Sequence, residues 1–270
     1  MNHRSWLLVA LVAAVPVAGV AQTVPRASNS TFLGLQESVY DSTQYYNATG
    51  GRSPNGCNFQ KNATTLYAEH GFDQRDTGSV QFEYDHLSCG ASVTNGLYDV
   101  QLAWLHEMRH SDTTHLSWKV MALAPTGYSI GANPRIGYGR PGAQFGGVYA
   151  GSFVTPGGYG FYSIDVGVRG YTSYPAPQLR TFGTIGGDVN KTVQLIGEIE
   201  WDQALGAGRT LVNEGLNPEI FPSFSDGQAF ALLRVRVNAH LSIVGSTSAV
   251  FYGRNYGIGP TNAISLWSDI

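Results

Sequence analysis

Five consecutive residues, His106-Glu107-Met108-Arg109-His110, spell H-E-x-x-H, the pattern that zinc peptidases use for hydrolysis. On a helix, side chains at positions i and i+4 lie about 6 Å apart, so two imidazoles can bind one Zn²⁺ at roughly 2.1 Å while the Glu acts as base. On a strand the same two residues are about 13 Å apart, at roughly 3.3 Å per residue, and no single zinc ion spans that distance. The secondary structure around the motif therefore decides whether this chemistry is open to it.

The residues after the motif do not complete a zinc-peptidase site. One class of these enzymes needs a third ligand in H-E-x-x-H-x-x-G-x-x-H, but those two positions hold Thr113 and Leu116, and His115 misses the ligand position by one residue. The other class needs a downstream Glu, and none occurs in 108–197. The segment 96–110 by itself fits both a helical stripe and a strand alternation. We predict a strand, and with it no metal and no cofactor.

A second pair that could do chemistry is His115 and Ser117, which would share one face of a strand. Outer-membrane phospholipases and proteases place such groups on barrel strands, so a nucleophilic Ser is physically possible. The alternating apolar residues around the pair would face lipid, so Ser117 would point inward beside Lys119. Because the sequence fixes no acid partner, we predict no catalytic residue and keep a barrel-embedded hydrolase as an alternative.

The composition indicates an exported all-β protein. Charged residues make up 13% of the 270 residues, where about 25% is usual, while 34 residues are Gly and 12% are aromatic. The net charge of −3 argues against a nucleic-acid partner, because no basic surface could neutralise phosphates. The chain starts like an export signal, with Arg4 before an apolar run over 6–20. Small residues then predict a signal peptide at 1–21, cleaved between Ala21 and Gln22.

Strict alternation of apolar and polar residues is the clearest local pattern. It is seen in SVQFEYDH (79–86), GFYSIDVGVRG (160–170) and LLRVRVN (232–238), and period two predicts strands with one apolar and one polar face. A short periplasmic segment (22–35) would precede a barrel over 36–270. We expect about twelve strands, near 36–46, 60–70, 77–88, 96–108, 114–124, 142–154, 159–169, 178–189, 192–204, 227–238, 241–252 and 261–270.

The connections between these strands alternate between short and mostly longer. Short periplasmic turns, long extracellular loops and tilted spans of roughly 9–11 residues are typical of a transmembrane antiparallel β-barrel in the outer membrane of a Gram-negative bacterium. Its partners would be outer-membrane lipid and the barrel assembly machinery. Both cysteines, Cys57 and Cys89, fall in predicted long loops, which favours a disulfide in an exported chain, with two reduced thiols as the alternative. The segment 207–227 would be an exposed contact loop.

The polar faces of the predicted strands carry charges that would project into the lumen. Neighbouring strands would let Glu198 and Glu200 face Arg234 and Arg236. Ionised groups inside a small barrel persist only when paired or hydrated, so these charges form a salt-bridge network, a charged pathway that selects solutes, or both. The predicted lumen-lining residues are Glu83, Asp85, Asp99, Glu107, Lys119, Asp165, Arg169, Glu198, Glu200, Asp202, Arg234 and Arg236.

Four stretches resemble a family of Gram-negative outer-membrane barrels named after the MetA pathway of phenol degradation, which includes XagA-like biofilm-associated proteins. The stretches are TLYAEHGFDQRDTGSVQFEY (65–84), WKVMALAPTGYS (118–129), PRIGYGRPGAQFGGVYAGSF (134–153) and VFYGRNYGIGPTNAISLW (250–267). The resemblance implies an outer-membrane location and a role in transport or surface-polysaccharide biology, with no catalytic residues. The chain ends on Ile270, not on the aromatic residue usual in such barrels.

Together these observations predict a channel or transporter-like barrel for small solutes that is not an enzyme. The alternative is a surface component that supports exopolysaccharide export and biofilm formation, with polysaccharide as its partner.

Overall fold

The structure is a computed structural model that describes residues 25–206 and 217–270. The described residues form fourteen antiparallel strands in one sheet. No helix in these two ranges is long and apolar enough to cross a membrane. The strands are β1 (Thr31–Tyr46), β2 (Arg52–Gly71), β3 (Asp76–Cys89), β4 (Ser92–Leu97), β5 (Val100–His110), β6 (Thr114–Ala124), β7 (Gly142–Thr155), β8 (Gly158–Tyr171), β9 (Gln178–Asp188), β10 (Val193–Ala204), β11 (Ser225–Arg236), β12 (Leu241–Arg254), β13 (Tyr256–Ile258) and β14 (Thr261–Asp269).

The sheet closes on itself because β1 pairs with β2 on one side and with β14 on the other. Leu35, for example, lies opposite both Leu66 and Leu266. In two places, two strands that follow each other in the chain together form one strand of the barrel: β4 and β5 both pair with β3, and β13 and β14 both pair with β1. The result is a closed twelve-stranded antiparallel barrel, which confirms the predicted fold class.

The wall of the barrel has one apolar and one polar face. On β10, Leu195 and Ile199 are 54% and 55% exposed on the outside, whereas their neighbours Gln194 and Glu198 are buried inside. A belt of exposed aliphatic and aromatic side chains is stable only against lipid, and closed barrels with such belts span bacterial outer membranes. The molecule is therefore an outer-membrane barrel. Its belt includes Leu33, Leu35, Leu66, Phe82, Leu102, Phe145, Ile164, Val166, Ile185, Leu233, Ile243, Ile264 and Leu266.

Several strands are longer than the sequence pattern indicates. β1 begins at Thr31, so residues 31–35 of the predicted periplasmic segment belong to the barrel wall. β2 begins at Arg52, and β3 and β4 are joined by a two-residue turn in which Gly90 has φ 63°. Most of the predicted loops 47–59 and 89–95 is therefore paired strand. Backbone pairing continues beyond the apolar stretch, where the side chains no longer alternate and the pattern gives no signal.

The predicted loop position of the two cysteines is wrong, because Cys57 lies in β2 and Cys89 ends β3. The two residues are joined by a disulfide, with Cα atoms 5.5 Å apart. Phe59 is the direct partner of Cys89 in the ladder, so the bond ties the extracellular ends of β2 and β3 together.

The short turns lie at the opposite end, as predicted, and have local hydrogen bonds that explain them. In the β2–β3 turn, the Asp73 carboxylate accepts the backbone N–H groups of Arg75 at 2.7 Å and Asp76 at 2.8 Å. These two bonds favour the ionised carboxylate and lower its pKa. An Asp that bonds its own backbone two and three residues on is a common reason for a tight turn.

The predicted signal segment 1–21, with its cleavage site between Ala21 and Gln22, lies outside the described residues, as does 207–216 in the predicted contact loop. The chain is described from residue 25 onward, and its first residues form hydrogen bonds with β2 and β3 at the periplasmic end of the barrel. Arg26 binds Glu69 and Asp269 at 2.7 and 2.9 Å, which are two ion pairs to β2 and β14. Gly71 permits this close approach, since a Cβ there would be 2.3 Å from the Ala27 carbonyl oxygen.

Candidate functional site

The H-E-x-x-H residues lie on strand β5, and a bulge separates the two histidines. Up to Glu107 the ladder follows simple alternation, with Glu107 opposite Ser117. At Met108 the register shifts, and His110 lies opposite His115. His106 is therefore on the outer face, where its Nδ1 lies 2.9 Å from Asp76 Oδ1, while His110 is on the same face as Glu107. One zinc ion cannot contact imidazoles on opposite sides of a sheet.

Glu107 lies inside the periplasmic end of the barrel, between two imidazoles. Its Oε1 lies 2.5 Å from His115 Nδ1 and its Oε2 lies 3.2 Å from His110 Nδ1. Ser117 Oγ is buried and has no hydrogen-bond partner within the described residues. His115 thus contacts Glu107, and the described contacts do not join Ser117, His115 and an acid in a catalytic triad. Across the described ranges no group of three or more His, Cys, Asp or Glu side chains has metal-binding geometry.

The principal cavity is the barrel lumen, with a volume of about 310 Å³. Charged and aromatic side chains from opposite walls line it together. Its charged lining residues are Lys61, Glu83, Lys119, Asp165, Arg169, Arg180, Glu198, Glu200, Asp202, Glu219 and Asp226.

Two extracellular loops fold into the upper lumen instead of extending away from it. They are residues 125–141 between β6 and β7 and the described part of the β10–β11 connection, 217–224. The Tyr138 hydroxyl donates to the Phe221 carbonyl oxygen at 3.0 Å, and the Asn217 amide donates to the Arg135 carbonyl oxygen at 2.9 Å. Buried side chains from both loops line the cavity, so the loops narrow its extracellular entrance.

An apolar cluster narrows the lumen toward the periplasm. Phe32 packs edge-on against Tyr67 and Trp267, with ring centroids 6.1 and 5.8 Å away. The Arg26 guanidinium lies 4.7 Å from the centre of the Phe32 ring, so the N-terminal segment and the cluster meet. Phe230 and Leu232 of β11 belong to the same cluster. The cavity is therefore bounded by loops above and by packed aromatic side chains below.

An ion-pair group on β9 and β10 occupies one wall of the cavity. The Arg180 guanidinium binds Asp202 Oδ2 at 2.8 Å and also contacts Glu200. In the ladder Asp202 lies directly opposite Asp226 of β11, so two buried carboxylates share the neighbourhood of one guanidinium. The described ion pairs do not include Asp226, whose Oδ2 accepts a hydrogen bond from the Gln228 amide at 3.0 Å.

A second group lies around Lys61 on β2. Lys61 Nζ is 2.9 Å from Glu83, 3.7 Å from Asp85 and 3.8 Å from Glu219, so one ammonium group forms ion pairs with three carboxylates. Burial raises the pKa of Glu219, which belongs to the inward-folded loop, and the Lys61 charge opposes this rise. On β6 and β8, Lys119 pairs with Asp165.

Seven of the twelve residues predicted to line the lumen border the cavity: Glu83, Lys119, Asp165, Arg169, Glu198, Glu200 and Asp202. The other five lie elsewhere. Asp85 is buried beside Lys61, and Asp99 accepts a hydrogen bond from the Tyr128 hydroxyl at 2.5 Å. Glu107 lies near the periplasmic end of the barrel. Arg234 and Arg236 lie toward the periplasmic end of β11, where Arg236 binds Asp188 at 2.6 Å.

The expected pairing of Glu198 and Glu200 with Arg234 and Arg236 is wrong. The β10–β11 ladder places Glu198 opposite Phe230, and Arg234 opposite Gln194. Adjacent antiparallel strands fix which residues meet only through their register, which the sequence pattern does not give.

Four charged lining residues were missed by sequence reasoning: Lys61, Arg180, Glu219 and Asp226. Lys61 and Arg180 lie at inward positions of weakly patterned strands. Asp226 stands before the predicted start of its strand, and Glu219 enters the lumen from a loop. Only the register of β11 could have indicated Asp226, and only the loop conformation could have indicated Glu219.

The lining charges leave an acidic surplus. Four of them are cationic (Lys61, Lys119, Arg169 and Arg180) and seven are carboxylates, which gives −3 when all are ionised. A narrow passage with a surplus of one sign raises the local concentration of ions of the other sign. When all of these groups are ionised, the lining therefore attracts cations more strongly than anions.

No known family model matches the sequence, and no curated protein matches it either. Solved structures share its fold. An outer-membrane channel from Pseudomonas putida F1 superposes with a TM-score of 0.68 at 13% identity, covering 92% of this chain and 97% of that one. The NanC porin superposes with a TM-score of 0.53 at 9% identity, covering 87% of this chain and 97% of that one. At such identities the likeness establishes the barrel fold.

Proposed function

We propose that this barrel is a narrow channel for small solutes that prefers cations to anions. The observation that carries the proposal is the lumen: a cavity of about 310 Å³ inside a closed barrel, lined by aromatic side chains and by seven carboxylates against four cationic groups. The loops above and the aromatic cluster below keep the passage narrow.

The fold shared with an outer-membrane channel and a porin supports a transport role without naming the solute. We further infer a distant relationship to the family named after the MetA pathway of phenol degradation. What supports it is the order of the four similar stretches, which fall on β2–β3, on β6, on β7 with its preceding loop, and on β12–β14.

Reconstitution tests the channel directly. The mature protein, folded into planar bilayers in KCl, should give discrete conductance steps. Under a KCl gradient, its reversal potential should lie closer to the equilibrium potential of potassium than to that of chloride. Proteoliposomes should swell in small amines faster than in organic anions of equal size. A silent bilayer together with absent swelling, from protein that migrates as a folded barrel in unboiled gels, would refute the proposal.

The two alternatives from the sequence remain predictions with their own tests. If the barrel supports exopolysaccharide export, deleting its gene should lower biofilm mass, and an unchanged mass would discard that role. If it is a hydrolase, lipid-hydrolysing activity should disappear in Ser117→Ala. Equal activity in the native protein and the variant would exclude Ser117 as the nucleophile.

A further inference from the structure

Glu198 is a buried carboxylate that borders the cavity and lacks a full set of partners. It projects inward from the middle of β10 and is 4% exposed. Its Oε1 has no hydrogen-bond partner among the described residues. An acceptor left unpaired in a buried position costs free energy, so its presence on a cavity wall points to a partner supplied from the cavity.

The described contacts of the lumen cations are with groups other than Glu198: Lys61 lies near Glu83, and Arg169 donates a hydrogen bond to Gln144 Oε1 at 2.9 Å. Arg180 binds Glu200 and Asp202, while Lys119 pairs with Asp165. Within residues 25–206 and 217–270, none of the ion pairs includes Glu198. The lumen therefore offers a carboxyl group at mid-depth that none of the described ion pairs includes.

Two phenyl rings flank this carboxylate. Phe230 is the direct ladder partner of Glu198 on β11, and Phe182 on β9 is its diagonal neighbour, opposite Glu200. The two rings have centroids 6.5 Å apart at an interplanar angle of 48°, and both border the cavity. Cations are attracted to the faces of aromatic rings, and a carboxylate beside such rings favours a cation that also carries apolar surface.

We propose that Glu198, Phe182 and Phe230 form a subsite for an alkylammonium ion inside the channel. The ammonium group pairs with the Glu198 carboxylate, and the alkyl part packs on the two phenyl rings. A hard metal ion would find one carboxylate and two hydrocarbon rings, which is a poor oxygen ligand set. This inference rests on the proposed function for access to the lumen, since it names the class of solute that the cation-preferring passage holds.

Equilibrium binding to the detergent-solubilised full-length mature barrel tests the subsite without requiring conduction. Titration with n-butylammonium chloride at constant ionic strength should show saturable heat, whereas sodium chloride and 1-pentanol should not. Glu198→Gln keeps the shape and removes the charge, and should weaken binding at least about ten-fold. Phe182→Leu should weaken it by about three- to five-fold, the usual size of a partly hydrated cation–π contact.

Glu37→Gln is the matched control, because Glu37 lies on the outer face of β1, where it accepts a hydrogen bond from Thr64 at 2.8 Å. It should bind n-butylammonium like the native protein. Absence of saturable binding would overturn the subsite. Equal binding of sodium, or an unchanged affinity in Glu198→Gln, would overturn it as well.

A bilayer experiment separates this inference from the channel proposal. In a conducting channel, n-butylammonium should reduce the potassium current, and Glu198→Gln should relieve the block. Saturable binding with a silent bilayer would refute the channel and keep the subsite. Conductance without binding and without block would refute the subsite and keep the channel.

Discussion

Removing the Arg180 charge should make the lumen more selective for cations. Arg180 is one of four cationic residues that border the cavity, against seven carboxylates. Arg180→Gln changes the lining from −3 to −4 when all groups are ionised, and frees Glu200 and Asp202 from their shared guanidinium. Both effects act on ions that pass the same wall.

The expected magnitude follows from Coulomb's law. One unit charge roughly 6 Å from the ion path changes the free energy of a monovalent ion by about 0.7 kcal/mol in a water-like medium. Cation occupancy should then rise about three-fold and anion occupancy fall about three-fold, so the ratio of potassium to chloride permeability should increase about ten-fold. In 1 M salt the Debye length falls to about 3 Å, and most of the change should disappear.

The assay is the reversal potential of single channels across a KCl gradient near 0.1 M, repeated near 1 M. Arg75→Gln is the matched control, because Arg75 is exposed in the β2–β3 turn and does not border the cavity. Its permeability ratio should equal that of the native protein. An unchanged or lower ratio in Arg180→Gln at low salt would show that the lining charges do not set selectivity, and the reasoning would fail.

Three further outcomes follow from the fold. Replacing both Cys57 and Cys89 by Ser should lower the free energy of unfolding by about 3–4 kcal/mol, because the disulfide closes a loop with a sequence separation of 32. Urea denaturation in lipid vesicles measures this change, and an unchanged midpoint would contradict it. Ile199→Arg, in the middle of the lipid-facing side of β10, should cost about 2–4 kcal/mol in the same assay, and a cost near zero would place this face outside the bilayer core. Asn217→Ala removes the amide that holds the two inward loops together, and should raise the single-channel conductance; equal conductance would mean that these loops do not limit the current.

The sequence alone determined the class of fold, because the alternation of side chains is a local property. In a strand, successive side chains point to opposite faces, so a run such as 79–86 reveals one apolar and one polar surface without knowledge of its neighbours. Repetition of that run about twelve times, with short and long connections in turn, leaves a closed barrel in lipid as the stable arrangement. The same alternation predicted most of the charged side chains that face inward, Glu198 among them.

The ends of the strands could not be read in this way. Between residues 47 and 59 the chain carries Gly, Pro and Asn, which usually mark loops, yet β2 begins at Arg52. There the ladder with β1 and the bond from Cys57 to Cys89 hold the backbone extended outside the bilayer. Such pairing depends on the partner strand, so the sequence of this segment alone does not predict it.

Only the tertiary structure decided which charges meet and what encloses them. The H-E-x-x-H motif lies on a strand, which already holds its histidines too far apart for one zinc ion, and the bulge at Met108 also puts them on opposite faces of the sheet. Register also placed Arg180, and not Arg234, beside Glu200, and a loop conformation carried Glu219 to Lys61. Register and loop conformation arise from contacts between segments far apart in the chain. A local pattern therefore predicts the wall of the barrel, and the folded wall determines the chemistry of its interior.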